Sequence, residues 1–190
     1  MTGEADDAQV IARSLAVPGA FAAVYERHVG RVLLYMRRRL GDAAAEDATT
    51  EVFVRAFKTR GAYVAQHPSA LPWLYWLAGL VIADYVRAER RRLKLLVRLA
   101  AVRSGDGSLA LRSDLAPEVV RSLRSLSPAD RETLLLIAWG ELSYDEVATA
   151  TGVPIGTVRS RVARARAQLG KDVSVAALAA ANHRPGEAHA

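Results

Sequence analysis

The sequence predicts an all-α protein, with two small helical domains joined by a short linker. Apolar residues recur at helical spacing along nearly the whole chain, and alternating runs of β-branched residues between turns are missing. Serine and proline also stand where helices would begin. The 190 residues leave room for two small cores, and the 51% hydrophobic content can fill them.

The composition argues against an enzyme. The chain has no cysteine, which excludes disulfides, thiolate catalysis and thiolate zinc sites, and its four histidines are scattered without ligand spacing. There is also no glycine-rich phosphate loop before a helix. We therefore expect no catalytic residues, no metal and no cofactor.

The chain gives no sign of a membrane-spanning or exported protein. Its longest apolar stretch, residues 71–83, contains a proline and a glycine and is well short of the roughly 20 residues that cross a bilayer. The N-terminus is acidic and lacks the basic and apolar segments of a leader. We expect no membrane insertion and a cytoplasmic location. The net charge of +6, carried mostly by arginine, suits phosphate contacts but also fits a GC-rich genome.

Three helices are predicted in an N-terminal domain over residues 16–98, after a frayed start over residues 1–15. The first helix ends at Gly41, and Asp42 is predicted to cap a second helix that runs to about Arg60. Residues 61–72 form a loop, and Pro72 stands in the first turn of a third helix that extends past Arg92.

A composition change around residues 103–108 marks a linker, which we place at residues 99–116. A C-terminal domain over residues 117–170 follows, with a helix start at Ser127-Pro128. Residues 171–190 are predicted to be a flexible tail.

The C-terminal domain contains a helix-turn-helix pattern. Ser143 and Glu146 have the spacing of a capping box at the start of one helix, Gly152 can end that helix in the left-handed conformation, and Pro154 forces a restart. A second helix runs from Ile155 to Leu169.

The second helix has an apolar face and an opposite face of small residues flanked by arginines. Small side chains let a helix enter the major groove, and arginines can reach phosphates or guanine edges. The alternative is the solvated basic face of an ordinary helix. The apolar face consists of Val158, Val162, Ala165 and Leu169; the small residues are Gly156, Ser160, Ala163 and Ala167; the candidate DNA contacts are Thr157, Arg159, Ser160, Arg161 and Arg164.

Two surfaces of the N-terminal domain are candidates for binding. The helix after Gly41 has a core stripe and, opposite it, an acidic and polar strip of Asp47, Thr50, Glu51 and Val54, which suits a basic helical partner or is simply solvated. The third helix ends in a dense basic cluster, which suits nucleic acid or an anionic membrane surface, or is an exposed helix end. The cluster consists of Arg87, Arg90, Arg91, Arg92, Lys94 and Arg98. Aromatic residues precede this cluster; Trp73 and Leu77 are predicted to be core, and Tyr63 and Tyr75 to stack on unpaired bases.

Together these segments resemble a bacterial extracytoplasmic-function (ECF) sigma factor, a type that keeps only sigma regions two and four. The resemblance covers about residues 21–169. It is carried by AEDATTEVFVRAF (45–57), similar to the polymerase-binding segment, by WLYWLAGLVIADYVRAERRR (73–92), similar to the promoter-opening helix, and by LSYDEVATATGVPIGTVRSRVARARAQL (142–169), similar to region four.

The resemblance implies a non-catalytic subunit that binds core RNA polymerase and directs it to promoters. By matching position, the strip Asp47, Thr50, Glu51 and Val54 would face the β′ clamp helices, and the β flap is a further expected contact. The minus-ten DNA would meet Tyr63, Tyr75, Asp84, Arg87, Arg90 and Arg91, and the minus-thirty-five element would meet the second helix of the helix-turn-helix. Sigma factors of this type are often held by an anti-sigma factor, which is a further expected partner.

The chain departs from the family pattern at two places. Family members usually have Gln where Thr50 stands, and commonly Arg-Asn where this chain has Gly79-Leu80. Losing that pair removes hydrogen-bond donors near the melted strand, so we expect altered minus-ten recognition or weaker promoter opening.

One alternative from another class is a conventional helix-turn-helix regulator that binds operators without polymerase. Its N-terminal half would serve for dimerisation or sensing. This alternative leaves the acidic strip unexplained.

Overall fold

The computed structural model describes residues 6–100 and 117–169, and the side chains of residues 93–100 and 117–118 are not part of that description. Within these ranges the chain forms eight α-helices and no strand. The chain divides into two compact units, Met1–Arg112 and Ser113–Ala190. The division falls inside the segment predicted as the linker, whose residues 101–116 lie outside the described ranges, as does the predicted tail.

The first unit contains four helices. They are α1 (Asp7–Ala16), α2 (Ala22–Leu40), α3 (Asp42–Thr59) and α4 (Leu71–Ala100), with short 3-10 turns at Pro18–Phe21 and Arg60–Ala62. Helices α2, α3 and α4 pack on one another around a core that includes Tyr35, Val52 and Leu74. The third predicted helix therefore begins at Leu71, with Pro72 in its first turn, and continues through residues 99 and 100 of the predicted linker.

Two expectations for this unit are wrong. The frayed start does not extend to residue 15, because α1 is a helix whose Val10 and Ile11 are buried. Asp42 does not cap α3: Gly41, at φ 81°, precedes the helix, and Asp42 is its first residue, where its charge still suits the helix dipole.

The second unit contains α5 (Pro117–Ser125), α6 (Pro128–Ala138), α7 (Tyr144–Thr151) and α8 (Ile155–Leu169). Helices α6, α7 and α8 pack together, and α5 contacts α8. The Ser127 hydroxyl accepts a hydrogen bond from the amide of Asp130 at 3.1 Å, which confirms the predicted helix start. None of the helices in the described ranges is long and apolar enough to cross a membrane.

Candidate polymerase and nucleic-acid interfaces

The acidic strip lies on the outer face of α3. Asp47, Thr50 and Val54 are exposed, and Glu51 is half-buried. The core stripe predicted for this helix is buried on the opposite face except for Phe57, which is exposed; its residues are Ala45, Ala48, Val52, Phe53, Ala56 and Phe57. The Thr50 hydroxyl donates to the Glu46 carbonyl at 3.0 Å, so the residue that stands in place of glutamine is bonded to its own helix.

A chain of ion pairs connects this strip to α4. Arg55 donates to Glu51 on its own helix at 2.7 Å and to Asp84 on α4 at 2.9 Å. Asp84 also accepts a hydrogen bond from Arg87. Hydrogen bonds from Arg55 and then Arg87 lower the pKa of the Asp84 carboxyl, and hydrogen bonds to Glu51 and then Asp84 raise the pKa of Arg55. The predicted minus-ten residue Asp84 is therefore an anchor between α4 and α3.

The aromatic residues of α4 are placed differently from the prediction. Tyr75 is only 2% exposed, and its ring lies 4.9 Å from that of Tyr35. The prediction that Tyr75 offers its ring for stacking is wrong, because its position on the helix faces the core. The neighbouring Trp76 is 43% exposed. Of the two expected core residues, Leu77 is buried and Trp73 is half-buried.

Helical periodicity, rather than aromatic content alone, distinguishes Trp76 in the sequence. At about 100° per residue, Trp76, Leu80 and Arg87 share one face of α4, opposite the buried Leu74, Ala78 and Val81. Leu80 and Arg87 are exposed, as are Arg90 and Arg91 further along the helix. An exposed aromatic ring and a basic cluster thus follow one another on one helix.

The α3–α4 loop, residues 60–70, lies beside the start of α4. Tyr63 in this loop is half-buried, and the centroid of its ring lies 4.8 Å from that of Trp73. Burial, followed by the charges of Asp7 and Asp6, raises the pKa of the Tyr63 hydroxyl.

The helix-turn-helix has the predicted local structure. The Ser143 amide donates to Glu146 Oε2 at 2.8 Å, and the Glu146 amide donates to Ser143 Oγ at 3.3 Å, which completes the capping box. Gly152 ends α7 at φ 67°, in the left-handed conformation that glycine adopts without strain. Helix α8 then begins at Ile155.

The faces of α8 agree with the predicted wheel. Val158, Val162, Ala165 and Leu169 are buried. All four small residues of the opposite face are exposed. Among the predicted DNA contacts, Arg159, Ser160 and Arg164 are exposed and Thr157 and Arg161 are half-buried.

Arg164 has a partner that the sequence analysis missed. Its Nη2 donates to Asp130 Oδ1 at 2.8 Å and its Nε donates to Oδ2 at 3.4 Å. Asp130 is buried on α6, and hydrogen bonds from Arg164 and from Ser127 lower the pKa of its carboxyl. The Arg164 guanidinium is therefore tied to α6.

No cluster of three or more potential metal ligands occurs among the residues that the structure describes. The exposed features are the acidic strip of α3, the α3–α4 loop with the aromatic and basic residues of α4, and the capped helix-turn-helix.

Comparison with known proteins connects these features to one family. The model of sigma-70 region 2 matches residues 24–92, and that of sigma-70 region 4 matches residues 117–169. The chain is 37% identical over 150 residues to ECF RNA polymerase sigma factor SigC of Mycobacterium tuberculosis, covering 77% of this chain and 78% of SigC. It is 30% identical over 168 residues to ECF RNA polymerase sigma factor SigK of Mycobacterium ulcerans, covering 84% and 90% of the two chains.

The fold is also similar to a solved structure. CnrH, in its complex with the cytosolic domain of CnrY, matches with a TM-score of 0.61 at 22% identity, over 86% of this chain and 94% of that chain. The matches to both sigma regions and to whole relatives do not favour an operator-binding regulator that works without polymerase. The chain belongs to the ECF family of RNA polymerase sigma factors, which are transcription initiation factors.

Proposed function

We propose a role in transcription initiation for each of three surfaces of this sigma factor. The outer face of α3 binds the β′ clamp helices of core RNA polymerase, the α3–α4 loop and α4 hold the opened minus-ten DNA, and α8 reads the minus-thirty-five element. The observation that carries this proposal is the outer face of α8, where four exposed small residues run between arginines. That face suits insertion into a major groove.

On α8, the proposed contacts to base edges come from Thr157, Arg159, Ser160 and Arg161. Arg164 has a different role in this arrangement, because its Nε and Nη2 are bonded to Asp130. The guanidinium nitrogen not bonded to Asp130, Nη1, suits a single phosphate contact better than a two-bond reading of guanine. Arg164 therefore fixes the register of α8 on the DNA backbone.

At the minus-ten element, we propose that Tyr63 and Trp76 contact unpaired bases and that Arg87, Arg90 and Arg91 neutralise neighbouring phosphates. Trp76 takes the role that the sequence analysis assigned to Tyr75. Stacking of bases on aromatic side chains beside basic ones is the usual way to hold single-stranded DNA. Asp84 supports this surface through its ion pairs with Arg55 and Arg87 rather than by touching DNA.

The strip Asp47, Thr50, Glu51 and Val54 is the proposed contact for core polymerase. Two acidic side chains beside the exposed Val54 suit a basic partner helix with an apolar contact at its centre. Glu51 is also bonded to Arg55, which holds its carboxylate in place. The β flap is proposed as a second polymerase contact, as the family resemblance implies.

Core binding is tested by the affinity of the labelled chain for purified bacterial core RNA polymerase at moderate salt. Glu51→Arg reverses the charge of the strip and is expected to weaken binding at least about tenfold, the effect of losing one good charged contact. Glu26→Arg, an exposed residue of α2, makes the same charge change elsewhere and should bind like the wild type. Equal affinity of both variants and the wild type would mean that the strip is only a solvated face.

The remaining expectations follow from this role. We propose that the protein acts in the cytoplasm, where core polymerase works, and that it has no catalytic activity of its own. We further propose an anti-sigma factor as a partner; the solved CnrH structure likewise contains a second protein, the cytosolic domain of CnrY. Such a factor would be recognised by its competition with core polymerase for the full chain.

A further inference from the structure

Helix α1 contacts both ends of the α3–α4 loop. At the far end, the amide of Ala70 donates to Asp7 Oδ2 at 2.7 Å, across a separation of 63 residues. At the near end, Nη2 of Arg60 reaches the carbonyl of Ser14 at 3.5 Å. Leu15 lies over Gly61, 3.8 Å from the position that a Cβ atom there would take. The loop is therefore bounded at both ends by one helix.

The contact at Ala70 depends on a buried charge. Asp7 is only 4% exposed. Its carboxylate also forms hydrogen bonds with two side chains of α2, with His28 Nε2 at 2.6 Å and with Arg27 Nη1 at 2.9 Å. These partners compensate the cost of burying the carboxylate. The same negative charge lies at the N-terminus of α4, where the helix dipole favours it. One side chain thus connects α1, α2 and the first turn of α4.

The loop held in this way contains Tyr63. Its ring packs on Trp73 in the first turn of α4. A loop fixed at both ends loses less conformational freedom when it binds DNA than a loop that must be ordered at that moment.

We propose that α1 is a clasp that fixes the α3–α4 loop in the conformation that receives unpaired minus-ten bases, with Asp7 as its positioning residue. This inference rests on the role proposed above for the loop. Asp7 itself touches no DNA in this scheme; it acts through the Ala70 amide.

Two variants separate the clasp from a general effect of charge. Asp7→Asn keeps the size of the side chain but removes the negative charge of the carboxylate that Arg27, His28 and the Ala70 amide contact. Asp6→Asn removes the same charge one residue earlier, at an exposed position whose side chain makes no capping hydrogen bond. Tyr63→Ala tests the role of the loop itself.

The experiment uses the full chain in holoenzyme with core polymerase, on a promoter that the wild-type holoenzyme selects from a randomised library. Three quantities are measured for each variant: permanganate reactivity of minus-ten thymines, affinity for core polymerase, and hydrogen exchange of the loop amides in the free protein. Asp7→Asn should raise loop exchange and lower minus-ten reactivity, each by about tenfold, as expected for the loss of a charge-assisted hydrogen bond. The affinity of Asp7→Asn for core polymerase should stay within about twofold of wild type, and so should all three quantities measured for Asp6→Asn.

The outcomes distinguish the clasp from the role of the loop. If Tyr63→Ala lowers opening but Asp7→Asn behaves like Asp6→Asn, the clasp is overturned and the loop retains its role. If Tyr63→Ala opens the promoter normally, the proposed role of the loop fails, and the clasp fails with it. If Asp7→Asn loses core binding together with opening, its effect is general; Arg27→Gln, which removes one of the three donors, must then lower opening with core binding intact, or the clasp is rejected.

Discussion

Arg164 on the recognition helix α8 donates from Nη2 to Oδ1 of the buried Asp130 on α6 at 2.8 Å. The two residues are 34 positions apart in the chain. This bond fixes α8 against α6 and occupies an arginine that lies on the proposed DNA-binding side of the helix.

The first prediction concerns this pair. A double-mutant cycle with Asp130→Asn and Arg164→Gln should give a coupling energy of about 0.5 to 1 kcal/mol, since solvent screens the largely exposed Arg164. Denaturant unfolding of the four proteins measures it. A coupling near zero would mean that the bond does not stabilise the second unit.

The second prediction separates base contacts from phosphate contacts on α8. If Arg159 or Arg161 reads a base, its replacement by alanine should cost holoenzyme about 1 to 3 kcal/mol of affinity for its selected minus-thirty-five sequence and relax specificity at one position. Arg164→Ala should instead weaken binding to all sequences alike and reduce the salt dependence. Arg124→Ala, an exposed arginine of α5, is the control. Unchanged footprints in the Arg159 and Arg161 variants would mean that neither arginine reads a base of the minus-thirty-five element.

The third prediction contrasts two adjacent aromatic residues. Trp76→Ala should lower promoter opening and destabilise the first unit by only about 1 to 2 kcal/mol, because Trp76 is 43% exposed and only part of its apolar area is buried. Tyr75→Ala should instead destabilise that unit by about 3 to 5 kcal/mol, as a buried aromatic side chain would. Permanganate footprinting and denaturant unfolding measure the two effects. Normal opening by Trp76→Ala would exclude its ring from DNA binding.

The fourth prediction concerns the departure at Gly79-Leu80. A Cβ at Gly79 would meet nothing within 4 Å, so a side chain can begin there, and Leu80 is 43% exposed; the test pair is therefore Gly79→Arg and Leu80→Asn. Restoring these donors should increase the fraction of open complex at a given promoter, because hydrogen bonds to the melted strand are regained. Leu80→Ala, which adds no donor, is the control. No gain in opening would mean that this chain does not use the two positions.

The fifth prediction is an acid dependence of the first unit. Burial alone would raise the pKa of Asp7, but hydrogen bonds from His28, the Ala70 amide and Arg27 outweigh it and hold the pKa well below its ordinary value. A carboxyl with a lowered pKa in the folded state stabilises the protein at neutral pH, and that stabilisation is lost as the pH falls below about 4.

Asp7→Asn should therefore lower the free energy of unfolding by about 2 kcal/mol at pH 7 and make it less sensitive to acid. Urea unfolding between pH 3 and 7, followed by tryptophan fluorescence in a Trp139→Phe background, reports on the first unit through Trp73 and Trp76. Parallel pH curves for wild type and Asp7→Asn would show that Asp7 is not the titrating group.

The all-α class and the local structure of the helix-turn-helix follow from patterns within short stretches of the sequence. Ser143 with Glu146, Gly152 and the apolar face of α8 are local signals, because capping, left-handed glycine and helical periodicity act over a few residues. The start of α3 is less well defined by the sequence, since Gly41 and Asp42 both allow a helix to start and periodicity does not show that Gly41 is the capping residue.

Which side chains are available for function depends on how the helices pack on one another. Helical periodicity places Tyr75 and Trp76 about 100° apart on α4, and the packing of α4 on α2 and α3 buries the first and leaves the second exposed. The bonds from Arg164 to Asp130 and from the Ala70 amide to Asp7 join positions 34 and 63 residues apart. Such contacts depend on how helices pack. No periodic pattern in the sequence shows which distant residue a charged side chain will contact.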